Sequence, residues 1–137
     1  MAMLGVWYRN FWHYPAHAVL PYSHDLREFP IYMQQLDMES NGKAVTQDGQ
    51  TISYETGPVI FGEAGTNAQH TFMQLLHQSD QIIPADFILA AKPQHPHIHH
   101  HQQLIGNALA QSKALMEGHE NQNAPHLHFS GNRPSST

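Results

Sequence analysis

Gln35 and Glu39 stand four residues apart in the stretch Q-Q-L-D-M-E-S-N-G-K, residues 34–43. On a helix that spacing puts both side chains on one face. Glu39 falls at the end of the segment, because Asn41-Gly42 directly behind it is a helix stop signal. Helix C-termini carry partial negative charge, which opposes ionisation of a carboxylate there and pushes its pKa toward working pH. A general base needs such tuning, and Gln35 could hold a substrate for it. The alternative is a solvated glutamate partnered with Lys43 at i+4, and spacing alone does not separate the two.

A second candidate is G-E-A-G-T-N-A-Q-H, from Gly62 to His70, which joins an apolar strand to a helix. The first-turn N–H groups of that helix would form an anion site with His70 just inside it. The same positive end disfavours imidazolium and predicts a neutral ring that can take or give a proton. The stretch lacks the spacing and the lysine of a P-loop. An ordinary capped strand–helix turn with a satisfied histidine is the rival explanation. The third candidate is K-P-Q-H-P-H-I-H-H-H, residues 92–101, with imidazoles at His95, His97, His99, His100 and His101. Only His97 and His101 share a helix face, and no Asp or Glu lies nearby in sequence to orient a metal ligand. A polar helix entrance is the other reading, and no metal is expected here.

The elements that must position these residues follow from periodicity. Residues 3–14 predict a short helix ringed by apolar side chains and therefore buried. H-A-V-L-P-Y, residues 17–22, fits a buried strand ended by Pro21. Ser23 is placed to cap a helix carrying the stripe Leu26, Phe29, Met33 and Leu36, kinked at Pro30 and running to about Ser40. Asp48-Gly49 inside an alternating run predicts a β-hairpin near 44–54. G-P-V-I-F-G (57–62) and I-I-P-A-D-F-I-L-A-A (82–91) suit fully buried parallel strands. Between them a helix starts near Thr66 with Phe72, Leu75 and Leu76 on one face. A long helix over 97–117 should face Ile98, Leu104/Ile105, Ala108 and Leu115/Met116 inward. This alternation predicts an α/β fold, a layered structure around a largely parallel sheet. It divides the chain into an α/β unit over 1–117 and a loop and tail over 118–137. Ligands in such folds lie beyond the carboxyl ends of the strands, so both 39–43 and 62–67 are expected on that rim.

Composition narrows the function classes. The 137 residues suit one domain, and 40% hydrophobic content is enough for a core. A net charge of −5 with six Lys plus Arg offers little to nucleic acid or anionic membrane. Absence of cysteine excludes disulfides and thiolate metal sites. The apolar start lacks a basic region and cleavage site, and no apolar run approaches the roughly 20 residues of a membrane span. A cytoplasmic location is expected.

Taken in order, W-Y-R-N-F from Trp7, L-P-Y from Leu20, Gln34-Gln35, M-E-S-N-G-K from Met38 and T-G-P from Thr56 form a recognisable series. It continues with Gly62-Glu63, G-T-N from Gly65, Gln69-His70, His77-Gln78, His100-His101, Ala110-Gln111 and G-N-R-P from Gly131. The series resembles the glucose-6-phosphate isomerase (phosphoglucose isomerase) family and covers almost the entire chain. The resemblance implies the second of two sugar-isomerase domains, a three-layer αβα sandwich. It implies interconversion of glucose 6-phosphate and fructose 6-phosphate through a cis-enediol, in glycolysis and gluconeogenesis, without metal or organic cofactor. Glu39 would be the base that moves the proton between C1 and C2, and Gln35 a substrate contact. His70 would assist ring opening and be donated to the partner's site in a homodimer.

Four positions depart from the family pattern: Ala64 for Pro, Ala68 for Gly, Phe61 for Trp and Glu55 for Gln. None is a position carried over as catalytic. Family members are several times longer, and their phosphate-gripping Ser/Thr loops, a Gly-Gly-Arg motif and a C-terminal Lys have no match here. The chain therefore resembles an internal segment, expected to be inactive alone. The competing class is a non-catalytic dimerisation module or a His-rich metal-binding module built on residues 95–101.

Overall fold

The computed structural model describes residues 2–137, and it places helices on both faces of a parallel sheet, the layered α/β arrangement that the alternation predicts. Strand β1 (Ala16–Tyr22) lies in the middle, with β2 (Val59–Gly62) on one side and β3 (Ala85–Leu89) on the other. A separate antiparallel pair, β4 (Gly118–His119) with β5 (Phe129–Ser130), follows the long helix. The segment 118–137, expected as loop and tail, ends in a further strand, β6 (Ser135–Ser136), which joins the main sheet beside β3.

The helices divide between the faces according to strand alternation. Ala18, Leu20 and Tyr22 of β1 form one face, where they meet α3 (Gly65–Ala68), α4 (Met73–Gln78) and α5 (Ile98–Glu117) in a core that includes Met73, Leu76, Phe87 and Leu115. Fully burying one such leucine contributes about 1.5–3 kcal/mol. The other face carries α2 (Phe29–Met33) and its continuation. Gln34 donates from Nε2 to the Ile60 carbonyl at 3.1 Å, and buried Pro30 lies against Gly62.

Pro21 does not end its strand. Ala18 donates its N–H to Pro84 at 2.8 Å, so the amides of residues 18, 20 and 22 point to β3 and those of 17, 19 and 21 to β2. Pairing with β2 stops at Gly62, opposite Val19, so position 21 has no carbonyl to meet and proline loses no ladder bond. β2 is an edge strand rather than a fully buried one, with Val59 exposed.

Four helix expectations need correction. The first helix, α1 (Ala2–Val6), widens into a π-helical turn over Trp7–Phe11, and its aromatic side chains are exposed rather than buried, with Phe11 at 65%. The segment after β1 is a 3₁₀ turn at His24–Leu26, then α2, then a π-helical run Gln34–Glu39; Ser23 makes no side-chain cap bond, and Leu26 and Leu36 are exposed. Along α5 the inward stripe is His101, Ala108 and Leu115, a spacing of seven, which leaves Ile98 and Met116 to solvent. The helix near Thr66 breaks into α3 and α4, with Met73 and Leu76 inward and Leu75 outward. The hairpin near 44–54 is present in outline: Thr46 donates to Gln50 at 2.9 Å, Val45 bridges Thr51, and Gly49 takes φ +76°.

Candidate active site

Gln35 and Glu39 both lie on the π-helical run and both are exposed. π-Helical turns are rare and recur at functional sites, so the backbone marks this segment independently of its residue types. Two contacts pin the run to β2: the Gln34 amide on the Ile60 carbonyl, and the Ile60 N–H on Met38 Sδ at 3.4 Å. The helix end is closed by Gly42, whose N–H donates to the Met38 carbonyl at 2.9 Å, so tightly that a Cβ there would lie 2.2 Å from that oxygen. Lys43 bends back over the end and donates from Nζ to the carbonyls of Glu39 (2.5 Å) and Ser40 (2.9 Å). It thus neutralises the helix terminus instead of pairing with the Glu39 carboxylate, which takes part in none of the ion pairs among the described residues.

A neighbouring bracket holds this end in place. Gly57 donates its N–H to the Asn41 carbonyl at 3.3 Å, and Asn41 in turn donates from Nδ2 to Asp37 Oδ1 at 2.5 Å. Residues 55–56 are gripped from the other side by the Trp7–Phe11 turn: Arg9 donates to Glu55 Oε1 (2.9 Å) and the Thr56 carbonyl (3.1 Å), and Asn10 to the Glu55 carbonyl (2.5 Å). Glu55 Oε2 meets His13 Nδ1 at 2.8 Å, and this hydrogen bond is the main cause that holds the Glu55 carboxyl below its ordinary range. The family's glutamine at this position would present one acceptor atom; glutamate presents two, and both are used.

His70 is placed elsewhere. It follows α3, whose Gly65 packs on the ring of Tyr22 at the carboxyl end of β1. Its ring is exposed, and its N–H donates to the Asn67 carbonyl at 2.9 Å. Glu63 accepts a 2.6 Å bond from Thr71 Oγ1, which ties the loop across its base. α3 is a single turn of four residues, too short for the anion site expected at its start.

The expectation that 39–43 and 62–67 share the carboxyl rim is therefore overturned. The helix after β1 runs back along the sheet, and its end meets Gly57, two residues before β2 begins. Glu39 is at the amino edge and His70 at the carboxyl edge, on opposite faces. At about 3.3 Å per residue, the seven-residue β1 separates those edges by roughly 20 Å. One copy of the chain does not bring the two residues together.

The histidine run forms no metal centre. His97 caps α5 without a side-chain bond, His95 Nδ1 accepts the His97 N–H at 3.1 Å, and His99 and His100 are exposed. No group of three His, Cys, Asp or Glu able to hold a metal occurs among the described residues. His101 turns inward and is 8% exposed, with Nε2 unpartnered.

Against this geometry the comparisons are decisive. The sequence profile described as phosphoglucose isomerase matches residues 1–137. The chain belongs to the phosphoglucose isomerase family. It is 50% identical to the glucose-6-phosphate isomerase of Chlorobium phaeobacteroides and 46% identical to that of Beijerinckia indica, in each case over all of this chain and 28% of the relative. The crystal structure of a glucose-6-phosphate isomerase from Chlamydia trachomatis superposes with a TM-score of 0.82 at 43% identity, over 98% of this chain and 27% of that one. A hypothetical protein from Thermus thermophilus shares the fold at a TM-score of 0.58 and 23% identity, over 82% of this chain and 29% of that one. The chain thus spans little more than a quarter of the length of the phosphoglucose isomerases it matches.

Several family-matching residues that residue types alone could not interpret prove to be framework. His77 and Gln111, from H-Q and A-Q, bond to each other at 2.9 Å. In G-N-R-P the N–H groups of Asn132 and Arg133 donate to the last carbonyls of α5, Met116 (2.8 Å) and Leu115 (3.0 Å), while the Arg133 guanidinium clamps the carbonyls of Ser79 and Gln81. Charge complementarity between Arg9 and Glu55 is the only sequence signal for the bracket around 55–57, and a separation of 46 in sequence hides it.

Proposed function

We propose that this chain supplies the base-bearing segment of an aldose–ketose isomerase acting on glucose 6-phosphate and fructose 6-phosphate. The observation that carries the reading is Glu39 itself. It occupies the glutamate of the family's M-E-S-N-G-K series, projects from a pinned π-helical run, and has a carboxylate that no cation occupies. In the proposed reaction Glu39 removes the proton from C2 of the open-chain aldose. The C–H electron pair becomes the C1–C2 double bond as the C1 carbonyl π pair moves to O1, which takes up a proton to give the cis-enediol; O2 then gives up its proton, C2=O forms, and the same carboxyl returns its proton to C1. Gln35, on the same face one turn earlier, orients the sugar hydroxyls. His70 takes and gives the proton that opens the pyranose ring.

Separation of Glu39 from His70 across the sheet supports a homodimer in which His70 serves a neighbour's Glu39. Phosphate anchoring and stabilisation of the enediolate charge fall to residues outside this segment. Each is several kcal/mol of the transition-state term, so the 137 residues alone should show negligible turnover. No helix among the described residues is long and apolar enough to cross a membrane, and we place the protein with its sugar phosphates in the cytoplasm.

The test is Glu39→Gln in the complete isomerase that contains this segment. Loss of a general base lowers kcat by about 10²–10⁴-fold while KM changes little. If the variant still exchanged the C2 proton with solvent at the normal rate, Glu39 would not be the base.

A further inference from the structure

The face of the sheet away from Glu39 carries a groove that the proposed reaction does not use. It lies between α4, α5 and the β4–β5 pair, with a volume of about 500 Å³, and it adjoins a second hollow of about 460 Å³ through His77, Gln78 and Phe129. Ligand pockets run from about 300 to 1,000 Å³. Its polar lining consists of five carboxamides, Gln69, Gln74, Gln78, Gln111 and Asn121, together with His77 and His119; no Asp, Glu, Lys or Arg borders it. Phe129 forms an aromatic wall, its ring 4.9 Å from that of His77 and 5.9 Å from that of His119.

The amides are arranged with complementary halves free. Gln111 uses its carbonyl on His77 Nε2 at 2.9 Å, which leaves its NH₂ to donate. Gln78 uses its NH₂ on the His126 carbonyl at 3.1 Å, which leaves its oxygen to accept. A hydroxyl both donates and accepts, so a row of carboxamides matches a row of hydroxyls. An ionic ligand would give up its hydration in a lining without a counter-charge, which is costly.

We propose that this groove binds a neutral polyhydroxylated ring or chain, an unphosphorylated sugar or polyol, at a site separate from Glu39. The bound molecule lays an apolar C–H face on Phe129 and its hydroxyls on the carboxamides of α4 and α5. Glu39 lies on the opposite face of the sheet, while His70 shares the groove's face and its neighbour Gln69 lines the groove.

Titration of the complete isomerase that contains this segment with D-glucose, followed by ¹H–¹⁵N spectra of its side-chain amides, tests it. Saturable shifts are expected at the side-chain amides of Gln74, Gln78 and Gln111, with a millimolar Kd, and glucose 6-phosphate should bind there about tenfold more weakly. Gln74→Leu changes an exposed residue with no hydrogen bond among the described residues, so the fold is kept, and it should weaken glucose about tenfold; Glu39→Gln should leave glucose binding unchanged. No saturable response to glucose, an affinity indifferent to Gln74→Leu, or tighter binding of tetramethylammonium at the same amides would each overturn the proposal.

Discussion

Asp86 joins three of the four strands through one carboxylate, and its removal gives a sharp test of how the sheet is held. Asp86 lies on β3, level with Val19 of β1 and Ser136 of β6. Its Oδ2 meets His17 Nε2 at 2.9 Å and its Oδ1 accepts from Ser136 Oγ at 2.5 Å. Side-chain exposure is only 19% for Asp86 and 16% for His17, so water does not replace these partners. Burial by itself would push the carboxyl up; the hydrogen bonds from His17 and Ser136 outweigh it and hold the group below its ordinary value of 3.8. Hydrogen bonds to a charged group contribute about 1.5–3 kcal/mol each, and Asp86→Ala leaves both donors unpartnered. The expected loss is about 2–4 kcal/mol, a large share of the 5–15 kcal/mol typical of a domain. Asp86→Asn, which keeps the shape and loses the charge, should cost about half as much.

The sign of the pH dependence follows from the lowered pKa. The contribution of Asp86 is present above its unfolded value of 3.8 and is lost as pH falls through the folded one. Urea unfolding followed by tryptophan fluorescence, repeated from neutral pH into the acid range, should therefore show wild-type stability falling faster in acid than that of either variant. Equal urea midpoints for wild type and Asp86→Ala at neutral pH, or parallel acid slopes, would refute this account of the sheet's polar anchor.

Other perturbations reach the remaining parts of the argument. Gly65→Ala would put a Cβ 2.3 Å from the ring carbons of buried Tyr22 and should cost about 3 kcal/mol, measured as a drop in urea midpoint. Lys43→Met removes the ammonium from the carbonyls of Glu39 and Ser40; about 0.3–1 kcal/mol of local stability should go, seen as faster amide exchange at Gly42 and largely restored by Lys43→Arg. Glu55 is held below its ordinary 4.5, first by His13, so the grip of the Trp7–Phe11 turn on 55–56 should persist as pH falls through 4.5 and yield only below it. A fluorescence transition of Trp7 and Trp12 at or above that pH, absent in Glu55→Gln, would contradict this.

Much of the architecture is legible in the sequence because continuous apolar runs mark the central strands and helical-period stripes mark the helices. Ala18–Leu20 and Ala85–Phe87 sit where their apolar runs put them, and α5 begins within a residue of its expected start. The differences have a common physical origin: apolar character alone does not establish burial within this chain. Trp7, Phe11, Trp12, Leu26 and Leu36 are apolar and exposed. Pro21 continues its strand because tolerance for proline depends on which neighbour's carbonyl its position faces, a property of register and not of composition. π-Helical turns leave no residue signature of their own, so neither Trp7–Phe11 nor Gln34–Glu39 could be foreseen. The i+4 spacing offers Lys43 as one possible partner for the Glu39 carboxylate, whereas the orphan carbonyls of the helix end compete for the same ammonium and win.

The split between the two sheet edges changes how the site should be thought of. A crevice rule drawn from open α/β sheets puts ligands beyond the carboxyl ends, which is the edge where His70 lies. Glu39 obeys a different logic. It is fixed by the far end of a crossover helix, braced through Asn41 and Gly57 to residues 55–56 and through them to Arg9. Its own helix face is continued by Ile31, Tyr32 and Leu36, all half exposed or nearly so. A base in open water is a poor catalyst, because hydration levels the electrostatic differences on which proton transfer depends. An apolar, uncovered surround for Glu39 and a displaced His70 therefore point the same way: in the proposed reaction the segment supplies the carboxylate, and the walls that dry it come from other polypeptide.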